Sequence, residues 1–391
     1  MGRFIFRAVE CQSSRVPEFS PFSHGFLKHR PPILIGNASR GLHTAFDRKE
    51  EKTMKRNLLL ICSVISLLLI PLWTVSIGAP IELKMAHYAS PESKEQEILK
   101  AGADWMEKRF PGRIKVTIYP AQTLLSAMAS YEGTVKGIAD ITSIVPGWHQ
   151  GRFPKTEAID LPPGVPSAVD GTQVYWEFYK KFLTDEWKEV KVLSFHVQVP
   201  QSLHTKKKSI RTLQDIKGEK MRVYGIGKEV MTAFGGVPIA MPMSEAYEAI
   251  RQGVVSGIMV PCSEMKGFRL IDVCFHHTVA DVFASPFFVI MNMARYNSLP
   301  ADIKKAFDEE LAPFWNLEAA KIWDRWEGLG RELIKSTAGH ELVILSPAEK
   351  NEWREKAKSV NSSWASALEA KGLPGKKLLE EKLRMIEKYV K

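Results

Sequence analysis

Cysteine is scarce in this sequence. Four occur among 391 residues, and two of them, Cys11 and Cys62, lie before residue 80. Cys262 and Cys274 are separated by eleven residues and have no CxxC spacing, which argues against a zinc or redox motif. We therefore expect two free, buried thiols in the body of the chain, with a disulfide, which export would permit, as the alternative.

The motifs of common enzyme classes are also missing. The sequence has no GxSxG, no HExxH and no P-loop, and residues 225–227 lack the third glycine of a dinucleotide fingerprint. His276 and His277 are adjacent rather than four residues apart, so a shared metal site on a helix is not expected. We predict no catalysis, no cofactor and no metal site.

Positive charge is concentrated near the N-terminus. Of the formal net charge of +10, the first 79 residues contribute +6, and the rest of the chain carries 43 Lys/Arg against 39 Asp/Glu. Mixed signs indicate an ordinary surface rather than a phosphate-binding stripe, so no nucleic-acid partner is expected. With 45% hydrophobic residues, the chain is long enough for two packed domains.

A short basic segment, Met54-Lys55-Arg56, stands before an apolar run at residues 57–77. This order is typical of a secretory signal peptide, here residues 54–79, and predicts a periplasmic protein. Because the run is nearly long enough to span a bilayer, an uncleaved membrane anchor is the alternative. Residues 1–53 are interpreted as a non-native extension from a misplaced start codon, or else as a disordered extension.

Strand patterns alternate with helical patterns from residue 80 onward. Residues 81–86 and 114–119 alternate apolar and polar residues, and Ser93 with Gln96 predicts a capping box between them. Ser244 is expected to cap a later helix. This order predicts an α/β fold of two lobes with hinge strands and long C-terminal helices.

The lobe boundaries follow from two long strand patterns. Residues 190–206 are predicted as one strand leaving the first lobe, and residues 287–293 as a strand that returns to it. The first lobe is therefore residues 80–203 and 287–391, and the second lobe is residues 204–286.

Arg222 lies among apolar neighbours in a predicted strand at residues 220–224. A buried guanidinium without a partner is unfavourable, so Arg222 needs an anion. A neighbouring Asp or Glu is one candidate. A ligand carboxylate, held by a two-pronged salt bridge, is the other.

Three motifs carry a resemblance to a known family: GIADI (residues 137–141), DIKGEKMRV (215–223) and GGVPIAMPMSEAYEAIRQGVVSG (235–257). Together they resemble the DctP-type solute-binding proteins of TRAP (tripartite ATP-independent periplasmic) transporters, over essentially all of residues 80–391. The resemblance implies a periplasmic-binding-protein-like fold and an extracytoplasmic receptor for a small organic acid. It also implies that Arg222 grips the ligand carboxylate, and that the partners are a small and a large TRAP membrane subunit.

The sequence departs from that family's pattern in two places. Many members have DGxENP where residues 256–261 here read SGIMVP, so Val260 replaces an asparagine. A second arginine often found upstream of residues 208–210 has no counterpart. Both changes make the pocket more apolar, which favours a hydrophobic or aromatic monocarboxylate over a dicarboxylate or a sialic-acid-like ligand.

Further ligand-binding candidates lie at strand ends and at the predicted hinge, and each has core packing as its alternative role. They are Tyr88, Trp148, His149, Gln198, Met259, Phe283 and Phe287. Three other functions stay open from the sequence: an ABC-type binding protein, a ligand-sensing partner of a signalling receptor, and a periplasmic enzyme.

Overall fold

The computed structural model describes residues 79–389. The prediction of a signal peptide and an N-terminal extension lies outside these residues. Within them the strands are β1 (Ile81–Ala86), β2 (Ile114–Tyr119), β3 (Ile141–Ile144), β4 (Val190–Val197), β5 (Ser202–Thr205), β6 (Lys220–Val223), β7 (Val237–Ala240), β8 (Gly257–Val260), β9 (His276–Val279), β10 (Pro286–Asn292) and β11 (Glu341–Ile344).

The α-helices of the same part of the chain are α1 (Lys94–Arg109), α2 (Ser130–Val135), α3 (Ala168–Phe182), α4 (Leu213–Ile216), α5 (Gly227–Phe234), α6 (Met243–Gln252), α7 (Glu264–Gly267), α8 (Met293–Asn297), α9 (Ala301–Ala306), α10 (Ala312–Ser336), α11 (Pro347–Glu369) and α12 (Gly375–Tyr389). A π-helical turn, Phe307–Leu311, joins α9 to α10. None of the helices within residues 79–389 is both long and apolar enough to cross a membrane.

The strands form two separate mixed sheets. The first has the order β2-β1-β3-β10-β4, and the second has the order β11-β9-β5-β8-β6-β7. In the first sheet β1 pairs in parallel with β2 and β3, whereas β10 is antiparallel to β3 and β4. In the second sheet β6 is parallel to β7 and β8, and β5 runs antiparallel to β8 and β9. The predicted α/β architecture is therefore confirmed.

The chain passes between the sheets through two neighbouring segments, residues 198–201 and 280–285. The amide of Gln198 donates to the carbonyl of Ser285 at 3.1 Å, and that of Gln201 donates to Phe283 at 2.8 Å. The prediction of one strand at residues 190–206 is wrong, because β4 and β5 belong to different sheets. Strand-like alternation of apolar and polar residues continues on both sides of this change of sheet, so the sequence pattern does not show it.

A third passage comes late in the chain. Helix α10 packs on β4 and on α1, and then leads to β11, which pairs in parallel with β9 at the edge of the second sheet. This edge strand was not predicted from the sequence. The division of the lobes at residues 203 and 287 stays a prediction.

Two helix starts differ in detail from the expected caps. The Ser93 hydroxyl accepts from the amide of Gln96, as predicted, but the Gln96 side chain bonds the ring of His87 at 2.8 Å instead of completing the box. Helix α6 begins directly after Pro242, so Ser244 lies inside the first turn and is not the cap. The helix therefore begins two residues earlier than the predicted cap implied, with Pro242 at the N-cap.

The helices that cover the sheets pack at close range. Trp315 of α10 donates its indole N–H to the carbonyl of Ile98 at 2.7 Å, and a Cβ at Gly102 would lie 2.2 Å from the same indole. Glycine at position 102 is therefore required for α1 to approach α10. Cys262 and Cys274 are free and buried, as predicted.

Candidate functional site

Arg222 lies in the middle of β6 and is 1% exposed. Its Nε donates to the carbonyl of Met241 at 3.1 Å, and its Nη1 is buried without a hydrogen-bond partner. Among residues 79–389, no carboxylate lies within 4.0 Å of this guanidinium. Burial lowers the pKa of Arg222. Of the two partners left open by the sequence, the neighbouring Asp or Glu is not found in the described part of the chain.

Aromatic rings form a wall beside the guanidinium. The ring centre of Tyr224 is 5.1 Å from Arg222 Cζ, and Trp148 lies 6.5 Å from Tyr224. Tyr88 meets Trp148 edge-on, with ring centres 4.6 Å apart. These residues follow the carboxyl ends of β6, β3 and β1, where the loops of α/β sheets converge on ligands. The wall thus contains residues from both sheets.

Glycines allow the loops from the two sheets to touch. A Cβ on Gly147, after β3, would lie 3.3 Å from the Cα of Gly225, after β6. Gly225 also has a φ of 51°, which favours glycine. A cavity of about 20 Å³ is bounded by Tyr88 and Trp148 on one side and by residues 242–244 on the other. The structure therefore represents a closed arrangement of the loops.

A buried cluster of charges crosses from one sheet to the other. Lys94, at the start of α1, places its Nζ 3.0 Å from Oε1 of Glu95 and 2.6 Å from Oε1 of Glu264, at the start of α7. The Tyr88 hydroxyl donates to Glu95 Oε1 at 3.0 Å. Lys94 and Glu95 are 1% and 2% exposed, and Glu264 is 6% exposed. Burying charged groups of this kind is unfavourable unless each charge is compensated by an opposite charge or a hydrogen bond.

The charges of this cluster influence each other strongly. Burial raises the pKa of Glu264 to about 7, although Lys94 and Arg222 oppose the rise. Burial alone would lower the pKa of Lys94, but its two carboxylate neighbours outweigh that effect and the pKa is raised. Burial also raises the pKa of Tyr88. With Arg222, the site contains two cations and two carboxylates, so its charges balance when all are ionised.

A second group of rings lies behind Lys94. Its Nζ is 3.9 Å from the ring centre of Trp323, and Phe287 lies 5.1 Å from that indole. His196 stacks on Phe287 with ring centres 5.4 Å apart. Burial lowers the pKa of His196 to about 3, so this imidazole is neutral at physiological pH and adds no charge to the site.

The candidate residues from the sequence fall into two sets. Arg222, Tyr88 and Trp148 lie together, and Phe287 is connected to them through Trp323 and Lys94. Tyr224, Trp323, Lys94, Glu95 and Glu264 were not identified from the sequence. Lys94, Glu95 and Glu264 lie at helix starts, where charges ordinarily face water, so no local signal in the sequence marks them.

The other candidates have core neighbours. His149 lies 6.0 Å from Tyr131, and burial lowers its pKa. Met259 and Phe283 belong to the large hydrophobic core. Gln198 is at the passage between the sheets, where its Nε2 is buried without a partner. Whether these four contact a ligand stays a prediction.

Histidines of the second sheet form a chain rather than a convergent site. His277 bonds His204 at 2.8 Å through Nδ1 and His340 at 3.1 Å through Nε2. Both of its ring nitrogens are therefore engaged by other imidazoles. In the part of the chain that the structure describes, no group of three or more His, Cys, Asp or Glu side chains is arranged to hold a metal ion.

Comparison with known proteins gives matches over most of the body. Residues 85–367 match the family model described as bacterial extracellular solute-binding protein, family 7. The C4-dicarboxylate-binding periplasmic protein DctP of Rhodobacter capsulatus is 24% identical over 317 residues, which are 75% of this chain and 90% of that protein. A solute-binding protein of Verminephrobacter eiseniae is 26% identical over 225 residues, 56% of this chain and 66% of that protein.

Two solved structures share the fold. A TRAP solute-binding protein from Rhodoferax ferrireducens, in complex with copurified benzoate, has 27% identity and a TM-score of 0.76, with 79% of this chain and 98% of that chain covered. A marine metagenome TRAP solute-binding protein specific for aromatic acid ligands, in complex with 3-hydroxybenzoate, has 28% identity and a TM-score of 0.76, with 80% and 100% covered. The expected two-lobed, periplasmic-binding-protein-like fold is confirmed.

Proposed function

Because the chain belongs to the bacterial extracellular solute-binding proteins of family 7, we propose that it captures an aromatic or hydrophobic monocarboxylate for a TRAP-type transporter. The resemblance stated from its motifs is confirmed, and so is the prediction that it is a receptor rather than an enzyme. The choice of ligand, the contacting residues and the membrane partners are the proposal.

The observation that carries the proposal is the unpaired guanidinium. Arg222 is buried, its Nη1 has no partner, and no described carboxylate lies within 4.0 Å. A planar guanidinium binds a carboxylate through two parallel hydrogen bonds. A ligand carboxylate therefore supplies the anion that the chain itself does not supply.

The neighbouring groups favour one carboxylate over two. A dicarboxylate needs a second free cation, and Lys94 is already held between Glu95 and Glu264 at 3.0 Å and 2.6 Å. The rings of Tyr88, Trp148 and Tyr224 offer apolar and aromatic surface to the rest of the ligand. Benzoate and 3-hydroxybenzoate, the ligands of the two similar structures, have this chemistry.

Binding is proposed to couple to closure of the two lobes. Lys94 and Trp148 follow strands of the first sheet, whereas Glu264 and Tyr224 follow strands of the second. The Lys94–Glu264 ion pair and the Trp148–Tyr224 ring contact therefore join the two sides. These contacts can form together when the lobes close on a ligand, with the paired segments at residues 198–201 and 283–285 acting as the hinge. Closure lets a small and a large TRAP membrane subunit distinguish the loaded receptor from the empty one.

The test is a thermal-shift screen of the purified protein, stripped of ligand by unfolding and refolding. Benzoate, branched aliphatic acids and C4-dicarboxylates are compared at saturating concentration. A ligand at about 100 times its Kd adds roughly 2.7 kcal/mol to the free energy of unfolding, which corresponds to roughly 5 °C in Tm for a chain of this size.

The expected result is a shift with aromatic acids that Arg222→Ala abolishes. Arg251→Ala is the matched control, since Arg251 is exposed and pairs with Glu248 on the surface. If only C4-dicarboxylates raise Tm, the proposed aromatic ligand is wrong and the ligand is a C4-dicarboxylate, as named for the Rhodobacter capsulatus relative. No shift with any acid would overturn the carboxylate assignment.

Location and partners are part of the same proposal. The family is extracytoplasmic, and we propose the periplasm, reached through the signal peptide predicted at residues 54–79. Deleting the gene should abolish uptake of the ligand. An unchanged uptake rate would favour the ligand-sensing alternative, and dependence of uptake on an ATPase would favour the ABC-type alternative.

A further inference from the structure

One oxygen of the buried charge cluster has no partner. Glu95 is 2% exposed, and its Oε1 receives both the Tyr88 hydroxyl and the Lys94 ammonium. Its Oε2 is buried and accepts no hydrogen bond from the described residues. Leaving a buried acceptor unsatisfied is unfavourable, and more so for a charged group. A donor supplied by a ligand removes that cost.

The free acceptor belongs to the same site as the free donor of Arg222. Tyr88 connects them: its hydroxyl bonds Glu95, and its ring packs edge-on against Trp148, which lies 6.5 Å from Tyr224 beside Arg222. Tyr88, Trp148 and Tyr224 form the continuous aromatic wall described above, with Arg222 at the Tyr224 end and Glu95 at the Tyr88 end. A matching ligand has a carboxylate for Arg222, an aromatic ring for the wall and a hydrogen-bond donor for Glu95.

The charge of the cluster decides which donor fits. Lys94 Nζ lies 3.0 Å from Glu95 and already neutralises it, so a ligand ammonium would add a second cation beside the first. A hydroxyl donates to an ionised oxygen without bringing charge, and such hydrogen bonds are stronger than those between neutral groups. The acceptor is therefore suited to a hydroxyl rather than to an amine.

We propose that Glu95 is a specificity-determining residue that selects hydroxy-substituted aromatic monocarboxylates. The inference rests on the proposed function, because it assumes that Arg222 holds the carboxylate. It adds that the opposite end of the ligand is recognised through Oε2 of Glu95.

The experiment measures Kd by isothermal titration calorimetry for benzoate, 3-methylbenzoate, 3-hydroxybenzoate and 4-hydroxybenzoate. The methyl group matches a hydroxyl in size but cannot donate. Each acid is titrated into the wild type, Glu95→Gln and Asp104→Asn. Asp104 is the matched control, because it lies on the same helix, is 41% exposed in its side chain and pairs with Lys100 on the surface.

In the wild type and in Asp104→Asn, one hydroxybenzoate should bind about tenfold or more tightly than benzoate and than 3-methylbenzoate. In Glu95→Gln that ratio should fall to about one, whatever the change in the absolute affinity for benzoate. Equal binding of all four acids by the wild type overturns the inference and leaves the proposed function intact. A preference for the hydroxyl that survives in Glu95→Gln also overturns it, and binding of none of the acids overturns both proposals.

If Glu95→Gln fails to fold, the four Kd values measured with the wild type still test the inference. A hydroxyl preference over the size-matched methyl group supports a buried acceptor in the site, and its absence overturns the inference. Tyr88→Phe then separates the neighbours, since it removes the hydroxyl that engages Oε1 and leaves Oε2 in place. The hydroxyl preference should persist in that variant, and its loss would assign the recognition to Tyr88 instead.

Discussion

Ligand affinity is predicted to weaken as the pH rises, because Glu264 takes up a proton when a carboxylate binds. The site contains Arg222 and Lys94 against Glu95 and Glu264, all buried. A bound carboxylate adds one negative charge to this balanced set. Taking up one proton restores the balance, and Glu264 is the carboxyl whose pKa is already raised to about 7.

The direction follows from the groups around Glu264. Arg222 lowers the pKa of this carboxyl, and a ligand carboxylate that neutralises Arg222 removes that effect. The pKa of Glu264 therefore rises above about 7 in the loaded receptor. Kd should be independent of pH below the pKa of the empty form, and should increase by up to about tenfold per pH unit between the pKa values of the empty and loaded forms.

Four other groups near Glu264 keep their state over the tested range. Burial lowers the pKa of His196 to about 3, raises that of Tyr224 to about 12 and raises that of Tyr88 further above its ordinary value. Lys94 is raised by its carboxylate neighbours. Burial also raises the pKa of Asp160, which acts on Tyr224, to about 7, so the Glu264→Gln variant is needed to assign the pH dependence between 6 and 8.5 to Glu264.

The assay is calorimetry with benzoate between pH 6 and 8.5, in two buffers of different ionisation enthalpy at each pH. Proton uptake appears as a difference between the two observed enthalpies. Glu264→Gln should remove both that difference and the slope, whereas Glu332→Gln, on the exposed side of α10, should keep them. A Kd that does not change with pH in the wild type, or an unchanged slope in Glu264→Gln, would refute the reasoning.

Three further outcomes are expected. Arg222→Lys should weaken aromatic-acid binding by about tenfold or more, because an ammonium cannot reproduce the two-pronged contact; calorimetry that gives the wild-type Kd would contradict the assignment. Gly102→Ala should lower the free energy of unfolding by about 1–3 kcal/mol, because the added methyl group overpacks the contact with Trp315. Gly328→Ala has open space around it and should raise the free energy of unfolding by about 0.5–1 kcal/mol. Urea unfolding measures both values, and equal effects of the two substitutions would contradict the packing described for Gly102. Burial lowers the pKa of Lys382 to about 7, so between pH 7 and 9 the wild type should gain up to about 1.4 kcal/mol of stability per pH unit relative to Lys382→Met. Lys377→Met, exposed on the same helix, should keep the wild-type slope, and parallel slopes for all three would contradict it.

Local patterns predicted the regular elements well and the connections poorly. Residues 81–86 and 114–119 were predicted as strands from their alternation and form β1 and β2 with those bounds. The break between β4 and β5 was missed because apolar residues recur through residue 199 as in one continuing strand, and sheet membership depends on distant partners. β11 was missed because its short run is half-buried at a sheet edge.

The candidate site was found at one end and missed at the other. Arg222 was identified because a charge in a buried strand conflicts with its surroundings. Lys94, Glu95 and Glu264 begin helices, where charges ordinarily face water, so nothing local distinguishes them. Their burial results from two helix starts meeting across the sheets, which depends on residues about 170 positions apart in the sequence.

The order of the strands also determines when this chain can fold. β10 lies between β3 and β4, so the first sheet cannot be completed before residue 292 has been synthesised, and the second sheet requires β11 at residues 341–344. A chain emerging from the ribosome therefore has unpaired strand edges for most of its synthesis. Late completion of both sheets is therefore expected to delay compaction of the nascent chain until most of it has been synthesised.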